Sequence, residues 1–432
     1  MLNRATPPPF VVPQSFSIPL AKKHALANGN ILHSIHTDND ALLKIDVFFP
    51  AGRIFQKQAS VAALTIDMLF ESTQKRSAMQ LAEAMDFFGA YTDYSVRAEW
   101  ASLTLYTLNK HLASVIPYFI ELLTLPAFKD EELNILIARE IQDLNVALEK
   151  NNVLAQHEVS RRQWGENHPL GMTPTVANYH SITRATIQGF FDQHYKLGDA
   201  KLFVAGNIDD NVINTLTQAF SLGKKAIETN AQLWEASPNN SAVPVFIEKP
   251  KSLQAAVRLA RKHVPRTHPD YNDTQILNLI LGGYFGSRLM DNLREDKGFT
   301  YGVGSNIADY RWGSEWSIGT EVKNDARNET VSEIFKEMKR LTEELVEMDE
   351  LDVARNYLLG QVLRSLDGAY QQMKYSETIA LNDYSYDLLY AGFHRITTIT
   401  PEDIMVVAKK YLDPKDWLVV VCGSEGTTSA EV

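Results

Sequence analysis

The chain has 432 residues, 45% of them hydrophobic and 10% aromatic, with a formal net charge of −11. At roughly 100–200 residues per domain, this length predicts two to four domains with ample apolar material for large cores. The charge disfavours general nucleic-acid binding and attachment to an anionic membrane surface, and the single cysteine, Cys422, excludes an intramolecular disulfide or a multi-cysteine metal site.

Residues 1–27 read as an extended, proline-rich arm. Its prolines and Gln14 interrupt any apolar signal-peptide segment. No stretch of the chain approaches the ~18–20 consecutive apolar residues of a membrane span. The expectation is a soluble cytoplasmic protein. Ile31–Ile35 and Leu42–Phe49 are predicted as the two strands of a hairpin joined by a polar turn at Asp38–Asp40. Ala59–Phe70 and Ser77–Phe87 are predicted helices, with Ser77 as cap and Gly89 beyond the second. Ala98–Leu108 alternates as a strand. His111–Leu123 and Asp130–Leu148 read as long helices, Thr183–Tyr195 as another, and Lys201–Ala205 as a buried strand ending at Gly206. Cys422, within LVVVCG, reads as a packed core thiol.

The order then repeats. Ile182 and Ile399, Ile187 and Ile404, and Gly206 and Gly423 share an offset of 217, while Glu132-Leu133 and Glu350-Leu351 share one of 218. Near-constant offsets across separated segments indicate a duplicated domain, and the long period means two large copies. The polar, weakly periodic stretch 223–245 reads as the linker. The expected organisation is a first domain over 1–222 and a second over 246–432, each an α+β layer of antiparallel sheet and helices.

Gly282–Tyr301, GGYFGSRLMDNLREDKGFTY, is the most structured motif. It reads as a turn, a helix capped by Ser287 with Leu289, Met290 and Leu293 on its apolar face, a stop at Gly298, and a strand opening at Tyr301. Arg294 falls in the last helical turn. An Arg at a helix end and a Tyr seven residues on are able to point into one space.

With MLFESTQKRSAMQLAEAMDFFGA at 68–90, GGYFGSRLMDNLREDKGFTY at 282–301 and the two strand-ending copies, the chain resembles the insulinase/pitrilysin metallopeptidases, the inverzincins, over nearly its whole length. The resemblance implies the two-domain α+β metallopeptidase (LuxS-like) fold. Active members carry His-x-x-Glu-His just before the Met-Leu-Phe stretch, two His holding zinc and the Glu acting as general base, with a downstream Glu as third ligand. The aligned residues here are Ala63-Leu64-Thr65-Ile66-Asp67. Ala63 has no ligand atom, Ile66 cannot accept a proton, and Asp67 lacks its partner; Glu140 matches the downstream acid, with a solvated helix carboxylate as the alternative. No metal is expected on this chain.

Ser287-Arg288-Leu289, Leu293-Arg294-Glu295 and Gly298-Phe299-Thr300-Tyr301 match the family's second-half motif. In two-subunit members one chain carries the zinc motif and the other this Arg and Tyr. The resemblance therefore implies a dimer in which Arg294 and Tyr301 reach a zinc-bearing partner's site, as donors to a peptide carbonyl. The repeat suggests that Gly282–Tyr301 is the second-copy counterpart of the region around Ala63–Asp67. Ala90–Leu105 occupies the place where the family binds an extended peptide by strand addition, with Asp93 in place of the usual Asn. An ordinary core strand is the alternative.

His33, His36, His157, His168, His180 and His194 form no ligand spacing, and Gly282-Gly283 lacks the context of a phosphate loop. The leading expectation is a non-catalytic, substrate-binding subunit of a two-chain zinc endopeptidase acting on unfolded peptides. The alternatives are a non-enzymatic scaffold, as relatives of this fold are in membrane respiratory complexes, and a peptide-binding homodimer.

Overall fold

A computed structural model of the chain describes residues 17–38, 41–223, 244–311 and 313–425. The predicted arm lies outside the described residues up to position 16, and the predicted linker outside them over 224–243. The strands before the linker are β1 (Lys22–Ala25), β2 (Ile31–His36), β3 (Leu42–Phe49), β4 (Tyr91–Val96), β5 (Ala101–Leu108) and β6 (Lys201–Gly206). The helices there are α1 (Val61–Leu69), α2 (Ala78–Asp86), α3 (Leu112–Thr124), α4 (Asp130–Leu148), α5 (Asn151–Trp164), α6 (Val176–Ser181), α7 (Arg184–His194) and α8 (Asp210–Phe220). Beyond it come β7 (Val245–Glu248), β8 (Gln254–His263), α9 (Tyr271–Asn278), β9 (Val303–Tyr310), β10 (Gly313–Lys323), α10 (Arg327–Glu343), α11 (Met348–Ser365), α12 (Ala369–Asn382), α13 (Tyr386–Thr398), α14 (Pro401–Tyr411) and β11 (Leu418–Gly423). Between α9 and β9 the chain is wound as π-helix over Leu279–Gly283 and again over Met290–Asp296. No helix among the described residues is long and apolar enough to cross a membrane.

The strands form two mixed sheets, in the orders β1-β2-β6-β3-β5-β4 and β7-β11-β8-β10-β9. The architecture is α+β, but the sheets are not purely antiparallel: β2 and β6 pair in parallel, as do β7 and β11. This corrects the predicted hairpin. The continuous apolar runs of β6 and β11 are buried on nearly every residue, which suits a strand covered on both faces. β6 therefore lies between β2 and β3, and β11 between β7 and β8. Cys422 is buried within β11. Along β3, Leu43, Ile45, Val47 and Phe49 face the main core with α1, α3 and α7, and β5 alternates to match.

The repeat holds in three dimensions. α5 and α12 stand 218 residues apart at both ends, and α7 and α14, like β6 and β11, stand 217 apart. The order of elements changes one expectation. α1 is the first helix after β3, and α9 the first after β8, so the region around Ala63–Asp67 matches α9. The helix that carries Arg294 comes second and matches α2: Ser77 and Tyr91 flank α2 as Ser287 and Tyr301, each 210 residues on, flank the Met290–Asp296 helix.

Each sheet has one face on helices of its own half. The other face is closed by a helix from the opposite half. Ala155 and Val159 of α5 pack on Ala256, Ala260, Leu418, Val420 and Cys422 of the second sheet. Ala369 and Met373 of α12 pack on Ile35, Phe203 and Ala205 of the first. Burying each large apolar side chain in these layers is worth about 1.5–3 kcal/mol.

One turn beyond Met373, α12 sets Glu377 against charge. Lys44 Nζ on β3 lies 2.6 Å from Asp46 Oδ2 and 3.9 Å from Glu377 Oε1, and Thr104 donates to Asp46 Oδ1 at 2.5 Å. Burial first, and then the Asp46 charge and a hydrogen bond to it, push the Glu377 carboxyl from 4.5 up to about 8; Lys44 and Lys374 oppose the shift. Across that window the folded chain holds a proton that the unfolded chain has released, so stability falls as pH rises and the loss is complete above the folded value. Wild-type protein is expected to lose urea resistance between about pH 5 and 9, and Glu377→Gln to lose less, its advantage growing with pH. Parallel urea midpoints for the two proteins across this range would contradict the raised Glu377 carboxyl.

Candidate functional site

The degenerate motif sits on α1. Ala63 is exposed, Ile66 is 1% exposed in the core, and Thr65 returns its hydroxyl to the Val61 carbonyl at 2.7 Å. Asp67 is half-buried and hydrogen-bonded to Tyr94 of β4, with Glu140 of α4 close enough to act on its charge. Tyr94 also stacks on Phe70, ring centroids 4.4 Å apart. Glu140 Oε2 accepts from the Tyr179 hydroxyl of α6 at 3.4 Å, and Arg139 Nη2 lies 3.6 Å from its Oε1. The fold thus brings Asp67 and Glu140 together. Burial, and secondarily Glu140, hold the Asp67 carboxyl above its usual range against the Tyr94 hydrogen bond. Burial next to Asp67 pushes the Tyr94 phenol up in turn.

Two carboxylates and two phenols make a weak donor set for zinc, which takes three protein ligands and leaves a position open. Ala63 offers a methyl group where an imidazole is needed, and Ile66 fills core space where a base would stand. Among the described residues no group of three or more His, Cys, Asp or Glu is placed to hold a metal. The residues present do not fit zinc.

In the second half, the Met290–Asp296 helix presents Arg294 in its last turn. Its Nε lies 3.4 Å from the neighbouring Glu295 carboxylate, and its guanidinium sits 4.5 Å over the ring of Phe285, itself 67% exposed. The helix is anchored from below. Arg288 makes a bidentate pair with Glu350 of α11, at 2.9 and 2.8 Å, and Asn292 Nδ2 donates to Glu333 and Glu337 of α10. Gly298, at φ +62°, takes the left-handed turn that ends the helix and lets the Phe299 N–H reach the Leu293 carbonyl at 2.9 Å. Tyr301 follows, 94% exposed and without a hydrogen bond among the described residues. Two local expectations change. The Ser287 hydroxyl is buried and caps nothing. Tyr301 stands two residues before β9 rather than within it. Among the described residues no hydrogen bond or cation–ring contact joins Arg294 to Tyr301; they flank the Gly298 turn and both reach solvent.

The stretch Ala90–Leu105 divides in two. β5 is interior, between β3 and β4, and is an ordinary core strand. β4 is an edge strand with largely exposed side chains, and the Asp93 carboxylate accepts from the Tyr94 N–H at 2.8 Å. The free edge of β4 therefore runs past Asp67 through Tyr94. β9 is the matching edge of the second sheet. The two hairpin tips meet where the Arg311 N–H donates to Glu99 Oε1 at 3.2 Å. Sequence reasoning missed Tyr94, Tyr179 and Phe285. Tyr94 carried a signal, an aromatic in an edge strand beside the motif helix, whereas Tyr179 reaches Glu140 only through the packing of α6 on α4.

Residues 181–358 match the family described as peptidase M16 inactive domain. An uncharacterized zinc protease of Rickettsia felis is 26% identical over 351 residues, covering 79% of each chain. The mitochondrial-processing peptidase subunit beta of Saccharomyces cerevisiae is 21% identical over 445 residues, covering 96% of this chain and 93% of that one. Among solved structures, the peptidase M16 inactive domain from Pseudomonas fluorescens matches with a TM-score of 0.83 and 20% identity, over 94% of this chain and 99% of that one. The likeness is one of fold.

The donor set carries a direct expectation. After dialysis against buffer containing micromolar zinc, elemental analysis is expected to find far less than one zinc per chain. Stoichiometric zinc that survives Asp67→Asn and Glu140→Gln would place a metal elsewhere in the molecule.

Proposed function

The chain belongs to the M16 peptidase family, the insulinase/pitrilysin-like zinc peptidases and their inactive domains, and on that premise we propose that it is a non-catalytic, substrate-binding subunit of a two-chain zinc endopeptidase. One observation carries the reading: α1 has lost the ligand and the base at Ala63 and Ile66, while Arg294 and Tyr301 stand out on the surface of the other half, held by an anchored helix and a glycine turn. A guanidinium and a phenol are both donors. Placed against a substrate carbonyl, they stabilise the oxygen as negative charge develops on it. The zinc and the general base belong to the partner, a homologous chain bearing His-x-x-Glu-His. The free edge of β4 offers backbone groups to an extended peptide, which gives affinity with little sequence preference. The yeast relative, named as a subunit, supports an assembly of more than one chain.

The test is reconstitution. The chain alone is expected to cleave no unstructured peptide, and to gain activity on mixing with a homologous chain bearing His-x-x-Glu-His from the same source. In the mixture, Arg294→Ala is expected to lower kcat about a hundredfold and Tyr301→Phe about tenfold or more, with assembly unchanged by size-exclusion chromatography. Full activity in both variants would remove the donor role. Stable assembly without activity, for every such partner, would favour the scaffold, and self-association alone would favour the peptide-binding homodimer.

A further inference from the structure

The outer face of the second sheet is only partly covered. α5 lies over β11 and β8, where Val159 packs among Ala256, Ala260 and Val420, and its last residue Trp164 donates to Glu315 Oε2 at 3.2 Å at one end of β10. Past that point the face formed by β10 and β9 is open. Arg258 of β8 lies opposite Gly319 of β10, which in turn lies opposite Gly304 of the edge strand β9. The Arg258 side chain runs across β10 at Gly319: a methyl group there would overlap Nη1 and lie 2.9 Å from Cζ. Only glycine allows this course. At Gly304 a methyl group would meet nothing within 4 Å, so the guanidinium points along an open, side-chain-free floor towards the sheet edge. Ser317 and Asn306, paired with each other, border it on one side, and the exposed Glu321 on the other.

Arg258 is half-buried, yet among the described residues its side chain makes no hydrogen bond and no ion pair. Burial lowers its pKa, and the charge of Glu321, beyond ion-pair distance, is all that opposes this. The first half shows what a paired charge looks like at this place. Asp46 lies opposite Phe203 as Arg258 lies opposite Val420, and those partners are 217 residues apart. Asp46 is met by Lys44, Thr104 and, from the crossing helix, Glu377. The residue 218 positions before Glu377 is Val159, which offers no polar atom. A half-buried guanidinium with five donors and no acceptor, aimed along an open floor, is a site for a carboxylate.

We propose that Arg258, with the Gly319–Gly304 floor, is a carboxylate-binding subsite for an extended peptide lying along the β9 edge. An acidic side chain or a C-terminal carboxylate reaches the guanidinium over the glycines, while the peptide backbone adds to β9. The inference rests on the peptide-binding reading for its class of ligand only. It is tested on the isolated chain, so an inactive mixture with the partner and a missing carboxylate preference are separate failures.

The experiment is calorimetric titration of the full chain with three short peptides of alternating Val and Thr: one capped at both ends with a central Glu, its capped Gln twin, and the Gln twin with a free C-terminus. A carboxylate peptide is expected to bind about tenfold more tightly than the capped Gln twin, and the one that gains identifies the source of the carboxylate. Arg258→Met is expected to erase the difference with little effect on the Gln twin. Equal affinities for all three, no binding of any, or a preference that persists in Arg258→Met overturns the proposal. Should Arg258→Met fail to fold, the Arg258 Nε–H resonance of the wild-type chain decides: a shift with the carboxylate peptide and none with the capped Gln twin supports the subsite, and the same response to both overturns it.

Discussion

The structure depends on an exchange of helices. Each sheet buries one face against its own half, but β6 and β11 are too apolar to leave the other face in water. α12 closes the first sheet over Phe203 and Ala205, and α5 closes the second over Val420 and Cys422. The seal is reciprocal, so neither core is complete without the other half. It also fixes the orientation of the halves. The β4–β5 and β9–β10 tips are brought together at Glu99 and Arg311, and the two free edges run towards that junction.

Fixed halves give the two chemically distinct regions their character. On α1, Ala63 and Ile66 offer neither a metal ligand nor a base, and a half-buried acid, Asp67, is tied to Tyr94 on the edge strand. In the other half, the part-buried polar contacts of Arg288 and Asn292 and the left-handed turn at Gly298 hold a half-buried Arg294 and an exposed Tyr301. Arg294 rests on the exposed ring of Phe285, and Tyr301 makes no hydrogen bond among the described residues.

Much of this was legible in the sequence because its signals are local or periodic. The apolar run of β6, the alternation of β5, the Ser77 cap and the spacing of 217 each depend on a few neighbouring residues. The missing ligand at Ala63 needed only residue chemistry. What was not legible depends on distant packing. The insertion of β6 between β2 and β3 could not be told from a simple hairpin, because adjacent strands with a polar turn satisfy the same pattern. α5 gave no usable signal: Ala155 and Val159 carry its contact with the second sheet, a stripe too narrow to stand out among polar residues. The meeting of Tyr179 with Glu140 exists only once α6 packs on α4.

The helix exchange has a consequence for the origin of the chain. A single copy cut at the linker would fold with one sheet face bare and one helix without a surface to cover. Two identical copies would solve both problems by trading that helix about a two-fold axis, since the same self-complementary contact then occurs twice. The arrangement seen here has the contacts such a dimer would have, within one polypeptide. Within one polypeptide the two copies need not match, and equivalent positions of the exchanged helices hold Val159, packed on aliphatic side chains, and Glu377, set beside Asp46 and Lys44.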